Sequence, residues 1–199
     1  MTKFIADIPI IHNGIFKFQL DLKDDYLTKF KEHDFTLTTH KNKLNYISCD
    51  LNSLDKYKKL NDEIKNSVKF FIKNTLCMKS DFTIYKSWLT LTEPKGSSNS
   101  HNHSNSWISG VYYPEQNNDF KIRFYNDYAN HFKTEVHKQN IYNSITYDIT
   151  PEKNELILFF SNLRHKILEN KSDKNRYSLS FNCLPKGTFG VGDSSCEFI

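Results

Sequence analysis

Three histidines are spaced so that they could bind one metal ion. His101 and His103 stand two residues apart after a flexible polar stretch, and His165 follows the apolar run 156–160. Residues at i and i+2 of an extended chain point to the same side, so the first two imidazoles can face one point. Three imidazoles suit a divalent transition metal that keeps one face open to substrate. The spacing predicts a metal centre; the alternative is two surface histidines and one satisfied core histidine.

An arginine placed shortly after the third histidine could bind an acidic cosubstrate. Arg176 stands eleven residues beyond His165, and Arg176, Ser178, Ser180 and Asn182 alternate with apolar residues. A guanidinium binds a carboxylate through two parallel hydrogen bonds, and the hydroxyl of Ser178 would add a donor. We therefore expect this polar strand face to line a cavity for a dicarboxylate. The alternative is an arginine on an exposed strand face.

Motifs for other kinds of catalysis are missing from the sequence. It contains no glycine-rich phosphate loop, no G-x-S-x-G nucleophile turn and no H-E-x-x-H helix. The aromatic residues Trp88, Trp107, Tyr112 and Tyr113 fit a core or the rim of a pocket. The candidate chemistry therefore rests on the histidines and Arg176.

The elements that must position these residues are mainly strands. From residue 81 onward, short apolar or alternating runs are separated by turn-forming segments rich in Pro, Gly, Asn and Asp. Several short strands after a helical N-terminal third predict a jelly roll or barrel, with helices packed outside one sheet. The strands are expected at 82–92, 107–114, 119–125, 144–149, 155–160, 165–169 and 175–183.

The N-terminal third is predicted to contain strands and helices. Extended segments are expected at 3–10 and 14–21, joined by a turn at Asn13-Gly14. A short helix should run from Asp24-Asp25 to about Phe30. Apolar residues recurring at three and four predict an amphipathic helix over 54–75, capped by Ser53.

One domain is expected to span 1–199. Within it, residues 1–80 would form a strand and helical support, 81–185 the jelly-roll core, and 186–199 a tail. The polar, aromatic stretch 126–143 has no clear period and is predicted to be a long insert or lid. The Gly- and Ser-rich tail from Pro185 onward is expected to be irregular.

Composition and charge limit the possible partners. No apolar run approaches the roughly 20 residues that cross a bilayer, and no signal-peptide pattern precedes the domain, so a cytoplasmic location is expected. The four cysteines form no C-x-x-C pair, which fits isolated thiols in a reducing compartment. The net charge of +4 is small and dispersed, and the basic stretch 56–59 is flanked by acids, which argues against nucleic-acid binding.

The order and spacing of these short motifs resemble the Fe(II)- and 2-oxoglutarate-dependent oxygenases. More narrowly, they resemble a branch of that superfamily from marine bacteria and their phages. The resemblance covers about residues 82–193, whereas the N-terminal third matches only loosely. The motifs that carry it are His101-Asn102-His103, Ser109 through Tyr113, Phe160-Ser161 with His165, and Arg176-Tyr177-Ser178 with Phe181-Asn182.

The resemblance implies a fold and an activity. The fold is a double-stranded β-helix, in which His101, His103 and His165 bind Fe(II) while Arg176 and Ser178 bind the C5 carboxylate of 2-oxoglutarate. Such enzymes use O2 to convert 2-oxoglutarate to succinate and usually leave a hydroxyl on a second substrate. If the chain is phage-encoded, the expected location is the host cytoplasm.

Two residues depart from the pattern of the superfamily. Most members have a carboxylate where His103 stands, so the metal would be held by three histidines, or by two histidines and water. Asn154 stands where a glycine usually precedes the apolar strand, which affects a turn and leaves the chemistry unchanged.

Two other functions remain open at this point. A three-histidine cupin enzyme also has an H-x-H motif and a later histidine on a related barrel, but it would not need Arg176 beside the metal. A binding protein that kept the barrel without turnover is the second alternative. The sequence leaves the substrate open among protein side chains, nucleobases, lipids and small metabolites, and it leaves the oligomeric state open.

Overall fold

The computed structural model describes residues 14–37, 43–128, 135–140 and 143–198. The predicted strand 3–10 and Asn13 of the predicted turn lie outside these residues, as does part of the predicted insert 126–143. Within the described residues the fold is mainly β with N-terminal helices, as predicted. The single-domain boundaries drawn from the sequence stay a prediction.

Eleven strands and two α-helices are present in the described part of the chain. The strands are β1 (Ile15–Gln19), β2 (Phe35–Leu37), β3 (Asn45–Ser48), β4 (Asp81–Thr92), β5 (Ile108–Tyr113), β6 (Ile122–Tyr125), β7 (Thr146–Ile149), β8 (Glu155–Phe160), β9 (His165–Ile167), β10 (Arg176–Phe189) and β11 (Cys196–Phe198); the helices are α1 (Tyr26–Lys31) and α2 (Lys58–Phe70).

The strands form two antiparallel sheets. The larger has the order β1-β8-β5-β10-β4-β3-β2, with β11 pairing with β10, and the smaller has the order β7-β6-β9. In the larger sheet Arg176 of β10 lies opposite Thr92 of β4, and Ser180 lies opposite Trp88. This register places the polar face of β10 on the same side of the sheet as Trp88, because alternate residues share a face.

Each face of the larger sheet packs against a different layer. One face contacts α1 and α2 through a core that includes Leu60, Ile64 and Tyr112. The other face contacts the smaller sheet through a core that includes Val111 and Phe124. The consecutive residues Val111 and Tyr112 thus lie in opposite cores, so β5 is apolar on both faces. The two facing sheets form the predicted jelly roll.

The predicted helix over 54–75 is divided into three pieces. A short 3-10 helix (Ser53–Lys56) precedes α2, and a π-helical turn (Phe71–Thr75) follows it. The prediction that Ser53 caps the helix is wrong, because Ser53 is the first residue of the 3-10 helix and its hydroxyl donates to the Asp50 carbonyl. The hydroxyl is held by the turn before the helix, so it does not bond to the amides of the helix.

The structure also contains strands that the sequence did not predict. Strands β2 and β3 extend the larger sheet beyond β4, and β11 pairs with the end of β10. The tail is therefore not irregular from Pro185 onward, because β10 continues to Phe189 and β11 follows. No described helix is long and apolar enough to cross a membrane. The cytoplasmic location stays a prediction.

Candidate metal centre

The three candidate histidines converge at one end of the space between the sheets. One ligand nitrogen from each of His101, His103 and His165 lies within 4.8 Å of the others. Three atoms at that separation lie within about 2.8 Å of a common point, so a small closure brings them to the ~2.0–2.1 Å of a metal–imidazole bond. The structure thus brings together the three residues selected from the sequence.

Backbone hydrogen bonds join the two chain segments that carry these histidines. The His101 N–H donates to the His165 carbonyl at 2.9 Å, and the His165 N–H donates to the His101 carbonyl at 2.8 Å. The His103 N–H donates to the Ser161 carbonyl at 2.9 Å. The segment before β5 therefore runs antiparallel to β9 like an added strand, which places the H-x-H motif beside His165.

The ring hydrogen bonds determine which nitrogen can bind a metal. Nδ1 of His101 lies 2.9 Å from the Asn99 carbonyl, and Nδ1 of His165 lies 2.9 Å from the Leu163 carbonyl. A carbonyl oxygen only accepts hydrogen bonds, so both Nδ1 atoms must carry the proton. In the neutral ring Nε2 is then the nitrogen with a free lone pair, and a backbone carbonyl on the other nitrogen is the usual support of a metal-binding histidine.

Two of the imidazoles are held in the neutral form that binds metal. Burial, and then the nearby His101, lower the pKa of His165 to about 3. Burial, and then the charges of His101 and Lys86, lower the pKa of His103 to about 4. At neutral pH both rings are therefore unprotonated, and no proton has to leave before a metal binds.

A cavity of about 300 Å³ extends from the histidines between the two sheets. Its walls combine the apolar side chains of Val111, Ile122 and Phe159 with the hydroxyls of Thr90 and Ser178. Mostly apolar walls with a few placed polar groups are typical of small-molecule sites. Tyr113 and Trp88, which the sequence placed in the core or at a rim, also line this cavity.

Arg176 lies next to the cavity on the face of β10 that carries Ser178. Its side chain is 1 % exposed, and none of its three guanidinium nitrogens has a hydrogen-bond partner. The guanidinium carbon lies 3.5 Å from the ring centroid of Phe120 and 4.7 Å from that of Tyr113. A buried cation held only by aromatic rings leaves its donors unsatisfied, which is costly unless a ligand supplies acceptors.

Burial changes the acidity of this arginine without removing its charge. It lowers the pKa of Arg176 to about 10, and the nearby Tyr113 and Glu115 act in the opposite direction. Arg176 therefore keeps its positive charge at neutral pH. The polar face of β10 does not point to solvent: Ser178 and Ser180 line the cavity, whereas Arg176 is buried beside Tyr113 and is not among the residues that line it.

A buried hydroxyl and amide network lies behind the metal-binding segment, and sequence reasoning did not assign it. The Ser109 hydroxyl donates to Oδ1 of Asn182 at 2.8 Å and lies 2.8 Å from the Ser161 hydroxyl. The Ser161 hydroxyl also bonds to that of Ser106 at 2.9 Å. Because the Ser161 carbonyl accepts from the His103 N–H, this network supports the H-x-H segment. Ser109, Ser161 and Asn182 all lie in the motifs that carry the resemblance, but nothing in their spacing indicates that they form one network.

Gly110 in the same motif is required by close packing between strands. A Cβ at this position would lie 2.2 Å from Cζ of Phe181 and 2.8 Å from Cδ2 of Leu158. Any larger residue would displace the ring of Phe181 and the side chain of Leu158 on the two neighbouring strands. The S-G pair of the motif thus has structural roles, with Ser109 in the polar network and Gly110 in the core.

The chain matches known proteins in sequence profile and in fold. Residues 86–182 match the profile of a family described as "Putative 2OG-Fe(II) oxygenase". The matched residues include His101, His103, His165 and Arg176, so this part of the chain is similar to the 2-oxoglutarate- and Fe(II)-dependent oxygenases. The family description names Fe(II) and 2-oxoglutarate, and the three converging imidazoles are ligands of a suitable type. The origin from marine bacteria or phages stays a prediction.

Solved structures with very different sequences share this fold. HygX from Streptomyces hygroscopicus, solved with nickel, 2-oxoglutarate and hygromycin B, is 7 % identical over 86 % of this chain and 82 % of its own, with a TM-score of 0.61. A prolyl hydroxylase from Trichoplax adhaerens, in complex with a peptide of hypoxia inducible factor, is 14 % identical over 86 % and 84 %, with a TM-score of 0.58. The epimerase SnoN from nogalamycin biosynthesis is 9 % identical over 86 % and 76 %, with a TM-score of 0.62. No curated protein matches the chain.

Proposed function

We propose that this protein is a dioxygenase that uses Fe(II), 2-oxoglutarate and O2 to hydroxylate a C–H bond of a second substrate. The observation that carries the proposal is the pairing of two features beside one cavity. The first is the convergence of His101, His103 and His165. The second is the buried guanidinium of Arg176, whose donors have no partner. A metal ion would satisfy the first feature and a carboxylate the second.

Each candidate residue has a distinct role in this proposal. The three histidines would hold Fe(II) through neutral imidazoles, and Arg176 and Ser178 would bind the C5 carboxylate of 2-oxoglutarate. When bound, the iron and the 2-oxoglutarate supply the oxidising chemistry with O2. Tyr113 and Phe120, which flank the guanidinium, would exclude water from the ion pair and so strengthen it.

The spacing along β10 suits a ligand that bridges the two features. Trp88, which lies opposite Ser180, has its ring centroid 5.8 Å from that of His103, so Ser180 marks the metal end. Arg176 lies four residues away, or about 13 Å of strand. The arginine side chain and the five-carbon chain of 2-oxoglutarate are together long enough to span this distance. Since the guanidinium nitrogens are enclosed, Tyr113 or Phe120 must shift slightly to admit the carboxylate.

Titration of 2-oxoglutarate against iron-loaded protein tests the proposal. In Arg176→Ala we expect the affinity to fall by about 2–5 kcal/mol, because a charge-assisted pair is lost and the carboxylate stays partly buried. Arg176→Lys should recover only part of this loss, since an ammonium lacks the planar fork. The visible absorbance of the iron chelate reports binding. The matched control is Arg123→Ala, which removes an arginine that is ion-paired with Asp148.

A cupin-type metalloenzyme is the second candidate, because its metal is also held by three histidines. Wild-type affinity for 2-oxoglutarate in Arg176→Ala would favour it over the oxygenase. Formation of succinate from 2-oxoglutarate, with iron and ascorbate present, would favour the oxygenase. Mass analysis of the second product then separates hydroxylation, which adds an oxygen atom, from an oxidation that adds none.

A further inference from the structure

We propose that the second substrate carries a negatively charged group, a carboxylate or a phosphate, which binds at Lys43 while its apolar part rests on Ile47 and Trp88. This inference rests on the proposed function and names the substrate class of the same site. It follows from the residues at the cavity mouth, from the charges around them and from the cavity volume.

One wall of the mouth combines a lysine with an apolar platform. Ile47 of β3 lies opposite Thr90 of β4. Trp88 stands two residues before Thr90, and alternate residues share a face, so Ile47 and Trp88 lie on the same face of the sheet. Lys43, Ile47 and Trp88 all line the cavity; Lys43 is exposed, and the other two are half-buried. The exposed side chain of His101 lines the same cavity. A ligand lying on Ile47 and Trp88 would therefore reach both the metal site and the lysine.

The described residues that line this cavity include no aspartate and no glutamate. Lys43 is the one lysine or arginine among them, and it forms no ion pair within the described part of the chain. Two acids of neighbouring segments are engaged elsewhere. Asp127 pairs with Arg164, and Glu93 accepts a hydrogen bond from the Tyr46 hydroxyl. Lys43 therefore has no described carboxylate within ion-pair distance, although Glu93 keeps its own negative charge.

The expected cofactors would not neutralise this charge. With three neutral imidazoles, the two positive charges of Fe(II) are balanced by the two negative charges of 2-oxoglutarate. The positive charges of Arg176 and Lys43 then remain, together with that of Lys86, whose Nζ lies 6.0 Å from the ring centroid of Trp88. A carboxylate in place of His103 would have made the centre one unit more negative. An anionic substrate is attracted to this site and a cationic one is repelled, because the cavity walls screen charge less than water does.

The volume of the cavity determines how the substrate enters. About 300 Å³ lies at the lower end of the range for ligand pockets, and 2-oxoglutarate must share it. Only the part of the substrate that is oxidised can then enter. Its charged group stays at the mouth, where Lys43 can bind it while it remains partly hydrated.

Quenching of Trp88 fluorescence by small ions tests the charge of the mouth. The protein is loaded with Zn(II), which has the charge of Fe(II) without its redox chemistry, and with 2-oxoglutarate. Trp107→Phe leaves Trp88 as the only tryptophan, and Trp88→Phe leaves Trp107 as the reference. A charge ~8 Å away in water changes the local concentration of a monovalent ion about twofold. Since iodide is enriched and caesium depleted, we expect the ratio of iodide to caesium quenching to be about fourfold higher for Trp88 than for Trp107.

Substitution of the lysine makes the test specific. Lys43→Glu should remove or reverse the preference for iodide, whereas Lys65→Glu, on the exposed face of α2, should leave it unchanged. Comparing Lys43→Glu with the native two-tryptophan protein keeps the test valid if Trp107→Phe misfolds. Equal quenching by iodide and caesium, or no effect of Lys43→Glu, would overturn the inference.

Protection of Trp88 from acrylamide identifies the kind of anion. Phenylacetate, phenyl phosphate and uncharged phenylacetamide are compared at equal concentration. Stronger protection by phenylacetate points to a carboxylate, and stronger protection by phenyl phosphate points to a phosphate. Equal protection by phenylacetamide, or no protection by either anion, contradicts the proposal. Normal binding of Zn(II) and 2-oxoglutarate in that case leaves the proposed function standing, whereas failure to bind them removes both.

Discussion

Replacement of Arg176 by methionine should stabilise the cofactor-free protein while abolishing 2-oxoglutarate binding. The guanidinium is buried, and its nitrogens have no hydrogen-bond partner. Methionine is a flexible side chain that fills irregular space and packs well against aromatic rings such as those of Phe120 and Tyr113. The substitution therefore removes an unsatisfied buried charge and keeps most of the packing.

The size of the effect follows from two opposing contributions. An unsatisfied buried charged group costs at least about 1–3 kcal/mol, and the cation–π contacts with Phe120 and Tyr113 return about 0.5–2 kcal/mol. Replacing buried charges with packed apolar groups often stabilises proteins by about 1–4 kcal/mol. We expect the free energy of unfolding of Arg176→Met to rise by about 1–2 kcal/mol. For a chain of this length, that corresponds to a Tm increase of about 2–8 °C.

Thermal unfolding with and without cosubstrate measures both effects. Wild-type protein with Zn(II) should gain about 2.7 kcal/mol at a 2-oxoglutarate concentration of 100 times the wild-type Kd, and Arg176→Met should gain less than about 1 kcal/mol. Arg176→Met should therefore be more stable than wild type without 2-oxoglutarate and less stable than wild type with it. Arg123→Met, a control at an ion pair with Asp148, should lose at most about 1 kcal/mol and keep the full response. A less stable Arg176→Met without cosubstrate, or a normal response with it, would refute the reasoning.

Three further predictions concern the metal centre and its support. His103→Asp should retain iron at least as well as wild type, because a carboxylate adds an anionic ligand; a large loss of iron by metal analysis, with an intact circular dichroism spectrum, would show that the third imidazole is required. Because the pKa of His165 is about 3 in the fold and 6.5 in the unfolded chain, the unfolded state binds more protons between these values, so stability falls as the pH drops below 6.5. Urea unfolding of the metal-free protein should show a loss of up to about 1.4 kcal/mol per pH unit from this residue, and His165→Gln should flatten that slope. Asn182→Leu, which leaves the Ser109 hydroxyl without its acceptor, should cost about 1–3 kcal/mol in urea unfolding and lower the metal content, whereas unchanged values of both would contradict the supporting role of the network.

Local patterns in the sequence predicted strands β1 and β4 to β10, and they selected the three histidines that the structure brings together. The runs that became β5 and β8 are buried on both faces, and the alternation in β10 placed Arg176 and Ser178 on one face. The i,i+2 spacing placed His101 and His103 together. These signals are local, and each one depends only on the geometry of a strand.

Features that depend on distant contacts could not be predicted. Strands β2 and β3 are short and partly polar, and what makes them strands is the pairing of β3 with β4 and of β2 with β3. Ser53 has the composition of a helix cap, but the carbonyl of Asp50 accepts its hydroxyl instead. The aromatic contact between Arg176 and Phe120 joins residues from separate elements, so no spacing in the sequence indicates it.

The reciprocal backbone bonds between His101 and His165 also bear on the kinetics of folding. These histidines lie sixty-four residues apart, so the chain must close a long loop before both ligands face one ion. An ion that needs both ligands finds its site only after the two sheets have come together. Added metal should therefore slow unfolding much more than it speeds folding, because the site is absent from early states. The metal would bind late in folding, and by slowing unfolding it would prolong the lifetime of the native state.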